Sequence, residues 1–171
     1  MENTKKRVIF IKGFKIILRP MNKETDLEKC WRWINDPEIR KNLKNFIPLN
    51  KQSEEEWFDS LSKRSDNIIL GIETIDQNNL IGTMGLHKIG WKDRVATTGT
   101  LIGEKEFQNK GFGTDAKMFL LHYAFNTLNL RKICSAAWEF NERSIAYNEK
   151  CGYKIEGRKK EQIFEDGKYW D

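Results

Sequence analysis

The nonapeptide QNKGFGTDA, from Gln108 to Ala116, sets two glycines one residue apart directly ahead of a stretch with helical periodicity. Such a loop can present main-chain amides to an anion, because glycine lets the backbone approach without a Cβ and a helix N-terminus carries partial positive charge. Several phosphate chemistries use loops of this kind. A Walker loop requires G-x-x-x-x-G-K-[ST]; here Lys110 precedes both glycines, which excludes it. A dinucleotide fingerprint fits better, since GFGTDA satisfies G-x-G-x-x-[GA] and Glu139 ends the following strand-like run, where an acid could meet a ribose hydroxyl. That fingerprint normally opens a long series of β-α-β units, whereas only about sixty residues follow Gly111, too few for a doubly wound sheet. An NAD-dependent oxidoreductase is therefore the weaker reading.

Other reactive side chains are sparse. Cys30, Cys134 and Cys151 are odd in number, widely spaced and form no C-x-x-C pair, so neither a disulfide framework nor a zinc site is expected. His87 and His122 are the only histidines and do not cluster with them, and no metal is expected. The net charge of +5 is spread along the chain among 25 acids, which reads as a solvated basic surface. A nucleic-acid module would concentrate that charge on one face and is the second rival reading.

The elements that must position the loop follow from periodicity. The 171 residues, 39% hydrophobic and 32% charged, suit one domain, 1–171. In the opening MENTKKRVIFIK the apolar run VIFI is stopped by Lys12, too short for a signal peptide or a membrane span, and a cytoplasmic location is expected. VIFI and FKIILRP read as a strand pair turning at Lys12-Gly13. Asp26–Asn35 reads as a helix with Leu27, Cys30, Trp31 and Ile34 inward, ended by Pro37. Ser53 and Glu56 form a capping box ahead of a helix with Trp57 and Leu61 inward, and Glu54, Glu55 and Glu56 then favour its positive end.

NIILGIET, LIGTMGLHKI and VATTGTLIG, joined by short polar turns, read as an antiparallel meander. Thr114–Asn129 is a helix with Ala116, Phe119, Leu120, Tyr123, Ala124 and Leu128 on one face. RKICSAAW is a strand. Asn141 caps a helix through Lys150 that Gly152 ends, YKIEG is a further strand, and Asp166-Gly167 turns a last hairpin. The fold class is α+β, a single mixed and largely antiparallel sheet flanked by helices.

Taken in order, Gln108-x-x-Gly111-x-Gly113, the helix after it, and NERSIAYNEKCGYKIEG from Asn141 to Gly157 resemble the GNAT superfamily of N-acetyltransferases. GFKIILRP and then WINDPEI resemble the opening of the branch that includes ribosomal-protein N-terminal and spermidine acetyltransferases. The resemblance covers nearly the whole chain. It implies acetyl-CoA as cosubstrate, with Gln108, Asn109, Lys110, Gly111, Phe112, Gly113 and Thr114 around its diphosphate, Asn141 at its pantetheine arm, and Ser144 placed to contact the cofactor or help donate. It further implies that main-chain amides near Leu101 and Ile102 polarise the thioester carbonyl, and that Tyr147 protonates the departing thiolate.

Three points stay open at this stage. Many members of the branch carry an acid where Thr98 stands, so the general base is unassigned; Glu73, Glu139 and His87 are weak candidates. The family usually continues after D-G-x-Y-x-D with another strand, so the last hairpin is expected to have an edge prone to pairing, a second copy of the chain in a homodimer being one such partner. The acceptor side is implied to come from Asp26–Asn50, Ser53–Arg64 and the later hairpin, where Trp31, Trp33, Phe46, Trp57 and Trp91 lie mostly at core spacing. Glu54, Glu55, Glu56 and Asp59 could attract a polyamine or aminoglycoside. The acceptor is read as a small primary amine or a protein N-terminus.

Overall fold

The period-two runs pair into one six-stranded sheet in the order of the chain. This is a computed structural model, and it describes residues 7–43 and 45–171. The basic opening stretch, 1–6, lies outside the described residues. β1 (Ile11–Lys12) and β2 (Ile16–Pro20) form the opening hairpin, and β2 continues into β3 (Ile68–Thr74), β4 (Leu80–Gly90) and β5 (Val95–Ile102), all antiparallel. β1 is shorter than the apolar run that suggested it. β6 (Lys132–Cys134) then lies parallel to β5, pairing Val95, Ala96 and Thr97 with Lys132, Ile133 and Cys134.

The two faces of the sheet carry separate cores. On one, α4 (Phe112–Asn126) lays Ala116, Leu120 and Ala124 against Ile16, Leu18, Ile72, Met84 and Leu86, all essentially inaccessible. Burying a Leu, Ile or Met side chain of this size contributes about 1.5–3 kcal/mol, so this face fixes α4 and with it the loop that feeds it. On the other face, α1 (Lys23–Asn35), α2 (Pro37–Arg40) and α3 (Lys51–Leu61) close over Leu27, Cys30, Trp33, Ile39, Phe58 and Leu80.

Several expectations shift in register. α1 starts at Lys23 because Asn22 caps it, its side chain accepting from the Glu24 amide; Trp33 rather than Trp31 fills the core, while the Trp31 indole donates to the Leu49 carbonyl at 2.7 Å. α3 is capped by Asn50, whose side chain accepts from the Ser53 amide at 2.8 Å, so the Ser53–Glu56 capping box does not form. Glu54 is consequently turned inward, 4% exposed, and Phe58 is the buried aromatic, with Trp57 and Leu61 packed partly beside it. α4 begins at Phe112 and ends at Asn126, two and three residues before the expected bounds, and Phe119, Tyr123 and Leu128 are only partly covered.

Two expected strands are shorter or missing. Of RKICSAAW only Lys132–Cys134 pairs, and YKIEG forms no ladder at all. Gly152, at φ 90°, turns the chain out of α5 (Glu142–Lys150), and the next residues are tied down by side chains: Tyr153 to Thr98, and Glu156 to Lys132 at 2.8 Å. β7 (Ile163–Glu165) and β8 (Lys168–Trp170) pair only with each other, through Asp166 at φ 53° and Gly167 at φ 78°, the positive angles a two-residue hairpin turn requires. Among the described residues the cysteines form no disulfide, and no helix is long and apolar enough to cross a membrane.

Candidate active site

β5 and β6 run side by side only as far as Thr97 and Cys134, and what happens beyond that point builds the site. The amide of Gly103 donates to the Ile81 carbonyl at 2.9 Å, which fixes the hydrogen-bonded pairs of the β4–β5 ladder as Ile81/Gly103, Thr83/Leu101 and Gly85/Gly99. Antiparallel pairing alternates, so the Leu101 amide faces β4 while those of Thr100 and Ile102 point the other way, past the end of β6. Of the two residues named from sequence, Ile102 offers a main-chain amide to that gap and Leu101 does not. Thr100, not singled out from sequence, offers the other.

The glycine loop closes one end of the gap. A short 3-10 turn, Lys105–Phe107, leads to Gln108, whose amide donates to the Ile102 carbonyl at 2.9 Å and whose oxygen accepts from Arg143 at 3.0 Å. Gln108 thus braces the loop between β5 and α5. Asn109 and Gly111 both take positive φ, 60° and 85°, and Gly111 is the N-cap of α4, its carbonyl accepting from Asp115 at 2.9 Å. The amides of Phe112, Gly113 and Thr114 precede the first intrahelical donor and project from the helix end toward the loop. A Cβ on Gly113 would meet nothing nearer than Ile102 Cγ1 at 3.6 Å. The chain itself does not need glycine there.

Positive charge gathers at this mouth. The Lys15 ammonium donates to the Lys110 carbonyl at 2.9 Å and stands 5.6 Å from the Phe112 ring, beside exposed Lys110. Asp115 holds Lys15 in place by accepting from its amide at 2.7 Å, and Gly13 is needed because a Cβ would lie 2.6 Å from that carboxylate. Lys15 and Arg143 were missed from sequence because their partners lie far away along the chain; no local signal reports them.

α5 supplies the other wall. Asn141 caps it, accepting from the Ser144 amide at 3.1 Å, as expected. The Tyr147 hydroxyl donates to the Gly113 carbonyl at 2.9 Å and accepts from the Thr100 hydroxyl at 3.2 Å. Burial raises its pKa well above the usual phenol range, so the proton stays on it. Next to it Lys117, 2% exposed, donates to Asn148 Oδ1 at 2.6 Å and lies 4.3 Å and 4.8 Å from the Tyr147 and Tyr153 ring centroids. Burial pulls this lysine down to about 8, with Cys151 opposing the shift.

The candidates for a base separate clearly. Thr98 is buried and its hydroxyl is shared with Tyr153, 2.8 Å away, and the Cys134 carbonyl at 3.3 Å. Glu73 is locked between Arg7 at 2.6 Å and Arg19 at 2.5 Å, and Glu139 pairs with Arg158 near the last hairpin. His87 lies over Gly99, where an added Cβ would be 2.9 Å from its Nε2. On the acceptor side, Asp59 is paired with Lys23 at 2.7 Å and Glu54 is buried, which leaves less free acid than the sequence suggests. Among the described residues no cluster of three or more metal-ligating side chains occurs.

This architecture disfavours the dinucleotide-binding reading: the loop follows an antiparallel meander rather than opening a series of β-α-β units. The sequence profile of the Acetyltransferase (GNAT) domain matches residues 15–154. The uncharacterized N-acetyltransferase YoaA of Bacillus subtilis is 28% identical over 160 residues, covering 92% of this chain and 89% of the relative. The spermidine N(1)-acetyltransferase of Vibrio cholerae is 36% identical over 95 residues, 56% of this chain and 54% of that protein. The crystal structure of spermidine N-acetyltransferase from Vibrio cholerae in complex with CoA and spermine superposes with a TM-score of 0.85 at 27% identity, covering 92% of this chain and 91% of that one. A parted β5–β6 pair, a glycine loop at a helix N-terminus and these likenesses converge: the chain belongs to the GNAT acetyltransferase family and is an N-acetyltransferase.

Proposed function

We propose that the chain binds acetyl-CoA in the gap between β5 and β6 and acetylates a primary amine in the cytoplasm, either a small amine of the polyamine class or a protein N-terminus. The observation that carries this reading is the set of unengaged amides converging on one gap: Thr100 and Ile102 from β5, and Phe112, Gly113 and Thr114 from the start of α4. The α4 amides, with Lys15 and Lys110 beside them, suit a diphosphate. Those on β5 suit an extended amide-bearing arm, which they would pair as a further strand would. Bound acetyl-CoA supplies the activated acyl group; the protein supplies orientation, an oxyanion-type donor at Ile102 or Thr100, and a proton from Tyr147. Phenol donation to sulfur requires Tyr147 to release the Gly113 carbonyl, a loss of one hydrogen bond, ordinarily about 1 kcal/mol. Asn141 and Ser144 line the start of α5 on the same side.

Thermal melting with acetyl-CoA, with NADH and with a short oligonucleotide tests the reading. A ligand confined to the folded state adds about 2.7 kcal/mol at a hundredfold excess over its dissociation constant. Stabilisation by acetyl-CoA alone supports the reading, and an amine screen then follows with wild type and Tyr147→Phe, which should keep the stabilisation and lose turnover. No stabilisation of a well-folded, ligand-free sample would overturn it.

A further inference from the structure

We propose that His87 is the general base that takes the proton from the acceptor amine, an assignment that rests on the acetyl-transfer reading above and deepens it. The argument begins with the sides of β5. Thr98, Thr100 and Ile102 turn their side chains toward α4 and α5, meeting Tyr153, Tyr147 and the α4 core. Side chains alternate along a strand, so Thr97, Gly99 and Leu101 belong to the opposite face, where Leu101 packs against the cluster under α1 and α3. His87, the cross-strand partner of Thr97, is on that second face.

Two glycines make room for it. Gly85 and Gly99 are directly paired across β4 and β5, and a Cβ on either would stand 3.2 Å or 2.9 Å from His87 Nε2. The Nε2 edge of the imidazole therefore reaches over Gly99, one residue from the Thr100 amide, with the Ile69 side chain closing the Gly85 side. An acyl group held against β5 from the α4 side leaves this face for an approaching nucleophile. Neither ring nitrogen of His87 has a hydrogen-bond partner among the described residues, in contrast to Thr98 and Glu73, whose polar atoms are taken within the protein.

Protonation favours the role. The charged groups facing the ring are Arg64 and Asp66, both after α3; Gly85 and Gly99 on the flanking strands carry none. Burial chiefly, and then Arg64, lower the pKa below its ordinary 6.5, with Asp66 opposing. The imidazole is neutral at pH 7 and can accept a proton. In the transfer, the amine nitrogen forms its bond to the acetyl carbon and gives one proton to His87. The carbon–sulfur bond breaks, its electron pair leaves on sulfur, and Tyr147 protonates that sulfur. Water then carries the proton from imidazolium to phenolate, restoring both.

The test compares wild type with His87→Gln, using spermidine and a short peptide with a free N-terminus as acceptors. Expected is a fall in kcat of about a hundredfold at pH 7, shrinking as pH falls and the imidazole takes up its own proton, with acetyl-CoA stabilisation retained. A second readout needs no turnover. The His87 ring signals in NMR, assigned by their loss in the variant, should titrate below 6.5 and move when the acceptor is added with CoA, while those of His122 stay. A variant within about twofold of wild type across pH 6 to 9, or ring signals blind to the acceptor, overturns the assignment. A wild type that acetylates neither amine overturns the underlying reading and the base with it, whereas an active wild type with an equally active variant removes the base alone.

Discussion

Tyr147 and His87 stand on opposite faces of β5 at consecutive residues: the phenol meets Thr100, and the imidazole lies across Gly99. The proposed transfer needs a donor where the leaving group departs and an acceptor where the nucleophile arrives, and in that proposal one strand between two core layers separates them. Gly99→Ala tests the relationship while leaving both side chains in the protein. Its Cβ would come within 2.9 Å of Nε2, the tip of a side chain that can swing away, so the fold tolerates it. The expected outcome is a kcat lowered by about tenfold or more, in the range of a misplaced catalytic group, with unchanged stabilisation by acetyl-CoA. A Gly99→Ala enzyme with wild-type kcat would show that the ring's position over this glycine is immaterial.

The two glycines of the loop predict opposite effects on stability. Gly111 sits at φ 85°, and Gly111→Ala forces a Cβ into the left-handed region at a cost of about 1–2 kcal/mol. Gly113 is inside α4 with ordinary contact distances around it, so Gly113→Ala gains up to about 1 kcal/mol through backbone entropy. Denaturant unfolding of the two variants without ligand measures the difference. Equal destabilisation by both would mean that the loop is held by something other than the backbone conformation of Gly111.

Much of this was legible in the sequence, and the reasons differ by element. The meander and the cap at Asn141 came from local alternation and local side-chain chemistry, which a single sequence displays directly. The Gly111 turn came from the same source. The gap did not, because it depends on where β6 stops pairing: RKICSAAW has strand character throughout, yet only its first half finds Val95–Thr97. The capping of α3 was misplaced by three residues, since both Asn50 and Ser53 are good caps and the choice was made by tertiary packing that brings Phe58 inward. Long-range partners were invisible in principle. Arg19 joins Asp26 at 2.8 Å to Glu73 at 2.5 Å and so ties α1 to β2 and β3, but nothing at Arg19 alone announces it.

Lys117 gives the sharpest dependence on pH. Its side chain is almost wholly enclosed between α4 and α5, with Asn148 as its hydrogen-bond partner and the faces of two tyrosines around it. Burial holds it at about 8 in the folded protein against 10.5 ordinarily. Between those values the unfolded chain binds the proton and the folded chain does not, so stability rises with pH across the window. Above 10.5 both states are neutral and the penalty is gone; below about 8 it is fully present. At about 1.4 kcal/mol per pH unit, the full penalty is on the order of 3 kcal/mol. Lys117→Met keeps the length of the chain and removes the titration. The difference in unfolding free energy between variant and wild type should therefore change between pH 8 and 10.5, wild type gaining relative to the variant as pH rises, and level off on either side. Parallel stability curves for the two proteins across that window would mean that Lys117 keeps an ordinary proton affinity, reached by water despite its enclosure.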